Sequence, residues 1–145
     1  MSDQIFIAAI SAGGVLFGVC LSQVITLLNG HLARKHERQI LLRQKYEKMV
    51  EDFNLSLMKY SLISKTSKME EMLEPLMHAR NVYSICTIYF DKLQPYATKF
   101  LSTLVDYLTS VRKLEASEKE ELLNVVNKAK SDMEKAIGEN AKFYT

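Results

Sequence analysis

Glu70, Glu74 and His78 stand four residues apart, so on a helix the two carboxylates and the imidazole share one face. Carboxylate and imidazole donors in a row are the raw material of zinc and di-iron centres. This row lacks the Glu-x-x-His spacing that helical di-iron sites use, and it reads as ordinary solvation of an outer face. His31 and His36 are five apart and point to different faces. No metal and no other cofactor is expected.

Other chemistries find less support. After Gly30 the only glycine is Gly138, whereas a phosphate-cradling loop, a dinucleotide turn or a nucleophile elbow each needs glycines where the backbone turns sharply or meets a ligand. Ser, His and Asp occur with no spacing that pairs a nucleophile with its base, so neither an enzyme nor a small-molecule substrate is expected. Cys20 and Cys86 lie in unlike settings, an apolar run and "VYSICTIYF", and read as small apolar side chains in a reducing compartment. Tyr83, Tyr89, Tyr96 and Tyr107 fall at helical positions and read as core and rim, not as a stacking platform for bases.

The informative stretch is "IFIAAISAGGVLFGVCLSQVITLL", residues 5–28, which contains no charged residue. As a helix it reaches roughly 36 Å, against a hydrocarbon core of about 30 Å. A cleaved signal would need a basic start, a shorter apolar stretch and a small-x-small cut site; "MSDQ" and "ITLLNGHLA" supply neither end of that pattern. A retained transmembrane helix is the expectation. Its orientation follows from Arg34, Lys35, Arg38, Arg43, Lys45 and Lys48, all of which come after the run, while no Lys or Arg precedes it. Basic residues are retained on the cytoplasmic side, which places residues 1–4 outside and the remaining chain in the cytoplasm. Membrane lipid is then a partner by construction.

Within the run, Gly14 and Gly18 form a G-x-x-x-G, Ser22 extends the row, and Ser11 lies on nearly the same face. Small residues let helix backbones approach closely in lipid, so Ser11, Gly14, Gly18 and Ser22 mark a candidate helix–helix interface; glycine is also simply common in spans, and both readings stand. Gln23 adds a polar group near the inner end. The positive excess that follows, +4 over residues 31–48, is local, since residues 49–145 sit near −1. So short a basic block does not make a nucleic-acid surface. Arg34, Lys35, Arg38, Lys45 and Lys48 set topology, which alone accounts for them; attraction to lipid headgroups is the second reading.

The elements that must carry these residues read as helices. Leu42, Tyr46, Met49, Phe53, Leu57 and Tyr60 recur every three or four residues without an intervening Gly or Pro. Ser67 and Glu70 have capping-box spacing for a second helix, expected to bend or restart at Pro75 and to end near Leu93 as the most buried helix of a bundle. A third opens at Asp91 or Gln94, tolerates Pro95 in its first turn, and shows Phe100, Leu104, Tyr107 or Leu108, and Val111 as its stripe. Ser117 and Glu120 suggest another box, and Leu122, Val126, Ala129, Met133 and Ala136 mark a last helix stopping before Gly138. The expected fold is all-α: a transmembrane helix at 5–28, then a cytoplasmic antiparallel bundle of about four helices across 29–137, then a loose tail at 138–145.

The order of apolar run, "RKHERQILLRQKYEKM", and a bundle containing "IYFDKLQPYATKFL" resembles small single-pass membrane proteins of bacterial genomes and mobile elements. The resemblance implies a bacterial inner membrane and brings no catalytic residue. The functional expectation is therefore a membrane-anchored interaction or scaffold protein whose bundle docks a protein partner or self-associates, as an accessory or inhibitory subunit. The alternative is a membrane-active effector whose spans assemble through Gly14 and Gly18 and compromise the bilayer.

Overall fold

The computed structural model describes the backbone of residues 2–63, 67–110 and 116–144, and their side chains except those of 2–18, 20 and 116. Among the described residues there are four α-helices and no strand: α1 (Ser2–Ser61), α2 (Met69–Tyr89), α3 (Gln94–Ser110) and α4 (Ala116–Ala141). The chain divides into two compact units, 1–40 and 41–145.

The first unit is the N-terminal part of α1. Asn29-Gly30 does not interrupt it: a helical glycine costs only about 1 kcal/mol relative to alanine, and no proline follows to force a stop. The expected span and the expected juxtamembrane helix are thus one element. Every described side chain from Val19 to Asn29 is exposed. Among the described residues no helix is long and apolar enough to cross a membrane; of the expected span, the side chains of 5–18 and 20 lie outside the described set, Ser11, Gly14 and Gly18 included.

The second unit is a four-helix bundle made by the C-terminal part of α1 with α2, α3 and α4. Contacts give the directions. Along α1, Met49, Asp52 and Ser56 meet Cys86, His78 and Pro75 in descending order, so α2 runs antiparallel to α1. Phe53 and Tyr60 meet Phe100 and Tyr107 in ascending order, so α3 returns parallel to α1, with ring centroids 5.0 and 5.3 Å apart. Turns of a few residues permit this alternation. The core holds Met49, Phe53, Ala79, Val82, Cys86, Phe90, Leu93, Phe100, Leu104, Val126 and Met133, all essentially inaccessible. Burying each large side chain here contributes on the order of 2 kcal/mol.

The expected stripes of α1, α3 and α4 face this core, apart from Val111, which lies outside the described residues. Helix ends differ from expectation. The N-cap of α2 is Lys68, one residue later than Ser67, and its backbone N–H donates to the Glu71 carboxylate at 3.0 Å. Pro75 does not restart the helix, because it removes a single bond, to the carbonyl of Glu71, within the first two turns. α3 opens at Gln94 with Pro95 in its first turn, as the sequence predicts. α4 begins at Ala116, ahead of Ser117, and continues through Gly138 to Ala141, with the Asn140 amide donating to the Ala136 carbonyl at 2.8 Å. The tail is not loose at its end: Tyr144 stacks on Tyr46 at 5.1 Å and meets Phe90 edge-on at 4.7 Å.

Candidate functional site

The densest chemistry in the bundle lies on the seam between α1 and α2. Asp52, Ser56 and Lys59 follow one another by four and three residues and so share a face of α1. Each crosses to α2. The Asp52 carboxylate lies 2.9 Å from Nδ1 of His78, the Ser56 hydroxyl donates to the Pro75 carbonyl at 2.8 Å, and the Lys59 ammonium meets Glu74 at 2.6 Å. The seam is graded by depth, since the side chain of Asp52 is 2% exposed and that of Glu74 51%. Lys48, one turn before Asp52, bonds Glu51 at 2.9 Å and approaches Asp52 at 3.6 Å.

This geometry dissolves the ligand-like row. Glu74 is taken up by Lys59, whose hydrogen bond and charge hold its carboxyl below the ordinary carboxylate range. His78 turns to Asp52, and Glu70 stays exposed. Among the described residues no group of three His, Cys, Asp or Glu side chains is placed to hold a metal ion.

A buried carboxylate that orients an imidazole is half of a nucleophile-activating arrangement, which also needs a hydroxyl or thiol at the ring. The nearby groups are committed elsewhere: Ser56 donates to Pro75, and the Cys86 thiol lies 3.3 Å from the Met49 sulfur, with burial pushing it up to about 12. What the Asp52–His78 pair does accomplish is registration. Sliding α2 by one turn would take His78 away and leave the buried Asp52 carboxylate with Lys48 alone at 3.6 Å, at a cost of several kcal/mol. A groove of about 360 Å³ beside the seam, lined by Lys59, Glu74, Met77, His78 and Asn81, is open to solvent.

A second feature is the outer face of α2. Its buried stripe is Met72, Pro75, Ala79, Val82 and Cys86. On the opposite side Met69, Leu73, Met77 and Ile88 are 63, 48, 66 and 71% exposed. The sequence reading of this helix as the most buried of the bundle is thus corrected: the bundle covers one face, and the exposed face mixes these apolar side chains with Glu70, Arg80, Asn81, Ser84 and Thr87. Apolar side chains grouped on one exposed face are characteristic of docking surfaces.

The basic residues separate into two groups. Lys45 lies over the Tyr89 ring at 5.7 Å and Lys48 bonds Glu51 and approaches Asp52, so both make contacts within the bundle. Arg34, Lys35 and Arg38 are exposed, with Nε of Arg34 donating to the Gly30 carbonyl at 3.1 Å. Of the expected small-residue interface only Ser22 is described; it is exposed and its hydroxyl bonds the Val19 carbonyl at 3.0 Å.

Sequence reasoning missed Asp52 and Ser56 because it tracked only the apolar members of the α1 stripe. The signal was present: Met49, Asp52, Phe53, Ser56 and Tyr60 share one face, so two polar residues sit at core positions and need partners across a helix seam. No protein-family model matches the chain, and no curated protein or solved structure matches it either.

Proposed function

We propose that this chain is a membrane-anchored interaction protein: residues 5–28 hold it in a bacterial inner membrane, with the N-terminus outside, and the cytoplasmic bundle docks a protein partner or a second copy. The observation that carries the docking half is the outer face of α2, where Met69, Leu73, Met77 and Ile88 stand exposed opposite a stripe already satisfied by the core. Met69, Leu73 and Met77, at four-residue steps, form a short exposed apolar row at the start of α2 that suits packing against a partner. The anchoring half is supported by the charge-free run and by Val19, Leu21, Val24, Ile25, Leu27 and Leu28, which point in several directions around α1 with nothing covering them.

The test places a photo-crosslinking residue at position 77 or 88 of the full chain in intact cells, with positions 54 and 102, on polar outer surfaces, as controls. Adducts from 77 and 88 and not from the controls are expected, and Leu73→Lys with Met77→Lys abolishes them. Monomer alone from all four positions overturns the docking reading. A chain washed from membranes by alkaline carbonate overturns the anchor.

A further inference from the structure

We infer that Arg34, Lys35 and Arg38 form a contact surface for the anionic headgroups of the bilayer that holds α1. This rests on the anchored reading above. Within the bundle, six of the basic side chains among the described residues have acidic partners: Arg43 pairs with Glu47, Lys48 with Glu51, Lys59 with Glu74, Lys99 with Asp132, Lys130 with Glu134 and Lys135 with Glu139. Arg34, Lys35 and Arg38 form no ion pair among the described residues, although Glu37 stands beside them. Three exposed cations close together add their attractions for an anionic surface, about 1 kcal/mol for each that comes close to it.

Their position names that partner. Helix side chains lean toward the N-terminus, here toward the apolar run. Arg34 shows this directly, since its bond to the Gly30 carbonyl sets the guanidinium one turn back along the axis. Gly30 lies two residues beyond Leu28, about 3 Å of helix rise. The headgroup layer on each side of a bilayer is about 6 Å deep. The Nη groups of Arg34 therefore stand at phosphate depth when Leu28 ends the hydrocarbon segment, Lys35 reaches the outer part of the same layer, and Arg38, one turn further, stands a few ångströms outside it, within the screening length of about 8 Å. Arg34 and Arg38 lie within about 40° of each other around the helix and Lys35 about 60° further, so one lipid-facing arc contains all three.

Each close cation is worth about fivefold in affinity for an anionic surface. The full chain is assembled into nanodiscs of phosphatidylcholine containing one-tenth phosphatidylglycerol, and the lipids in small discs are counted by mass spectrometry against empty discs. Phosphatidylglycerol is expected to be enriched severalfold with the wild-type chain at low salt. Arg34→Gln, Lys35→Gln and Arg38→Gln together should remove the enrichment, and Lys130→Gln with Lys135→Gln should keep it. Discs of unchanged composition, or equal enrichment in the triple variant, overturn the inference. So does reversal by millimolar inorganic phosphate at constant ionic strength, which would mark a free-phosphate site. Flotation with pure phosphatidylcholine vesicles separates the two readings. A chain that floats there without preferring phosphatidylglycerol in discs keeps the anchor and loses this surface; one that binds only phosphatidylglycerol vesicles keeps the surface and loses the anchor.

Discussion

Asp52, buried to 2% exposure, faces Nδ1 of His78 at 2.9 Å across the seam of α1 and α2. This polar contact sits one helical position from Phe53, whose ring meets Phe100 in the centre of the bundle. A carboxylate so placed is tolerated only with its partner. His78→Ala is expected to lower bundle stability by about 3 kcal/mol, because it leaves the carboxylate with Lys48 alone at 3.6 Å. Replacing both residues together, Asp52→Leu with His78→Leu, is expected to restore much of that loss. Urea denaturation of the four chains of the double-mutant cycle measures it, and additive losses would deny the coupling.

Alkaline pH should loosen the bundle through groups that folding keeps protonated. Burial raises the Cys86 thiol from an ordinary 9.0 to about 12, and burial, reinforced by Tyr107, raises the Tyr60 hydroxyl as well. For both groups the folded state favours the neutral form. Their contribution is complete below the unfolded value and disappears as pH rises toward the folded one. Stability should be flat near neutrality and fall between pH 9 and 12. Cys86→Ala should flatten part of that slope in thermal melts. In a Cys20→Ala background, maleimide should label Cys86 only after unfolding.

Tyr144 closes the aromatic group of Tyr46 and Phe90, at 5.1 and 4.7 Å. Tyr144→Ala should cost about 2 kcal/mol, a shift of several degrees in melting temperature for a unit of this size. The Tyr46 hydroxyl also donates to the carbonyl of Ile137, so Tyr46→Phe should cost about 1 kcal/mol with the rings intact. A truncation ending at Lys142 that melts like the full chain would remove Tyr144 from the fold.

Gly138 lies inside α4 without a positive φ, and a Cβ there meets nothing within 4 Å. Gly138→Ala should stabilise the bundle by about 0.5–1 kcal/mol, mostly by reducing the freedom of the unfolded chain. A loss of stability in calorimetry would mean that Gly138 is a helix stop.

The start of α3, Gln94 as one of two candidates with Asp91, was legible because Pro95 is tolerated in the first turn of a helix, and α1 beyond Leu41 because its stripe is unbroken. The far end of α4 was not legible from sequence. A glycine after a periodic run is the usual stop signal, yet here Ala141 and Tyr144 continue to pack on the core past it, and packing outweighs the small cost of glycine in a helix.

Local pattern by itself determined the all-helical class, the apolar stripes and the separation of a charge-free run from a balanced bundle, because periodicity and charge are properties of neighbouring residues. Only the tertiary structure decided which polar side chains are paired and which apolar ones are left uncovered. Glu70, Glu74 and His78 shared a face in sequence, but Lys59 and Asp52, on another helix, engage Glu74 and His78 respectively. Likewise "VYSICTIYF" is mostly apolar, and its burial on one side, with Ser84, Thr87 and Ile88 left exposed, follows from where α1 and α3 lie. Contacts between residues tens of positions apart are set by the packing of whole helices, which no local spacing encodes.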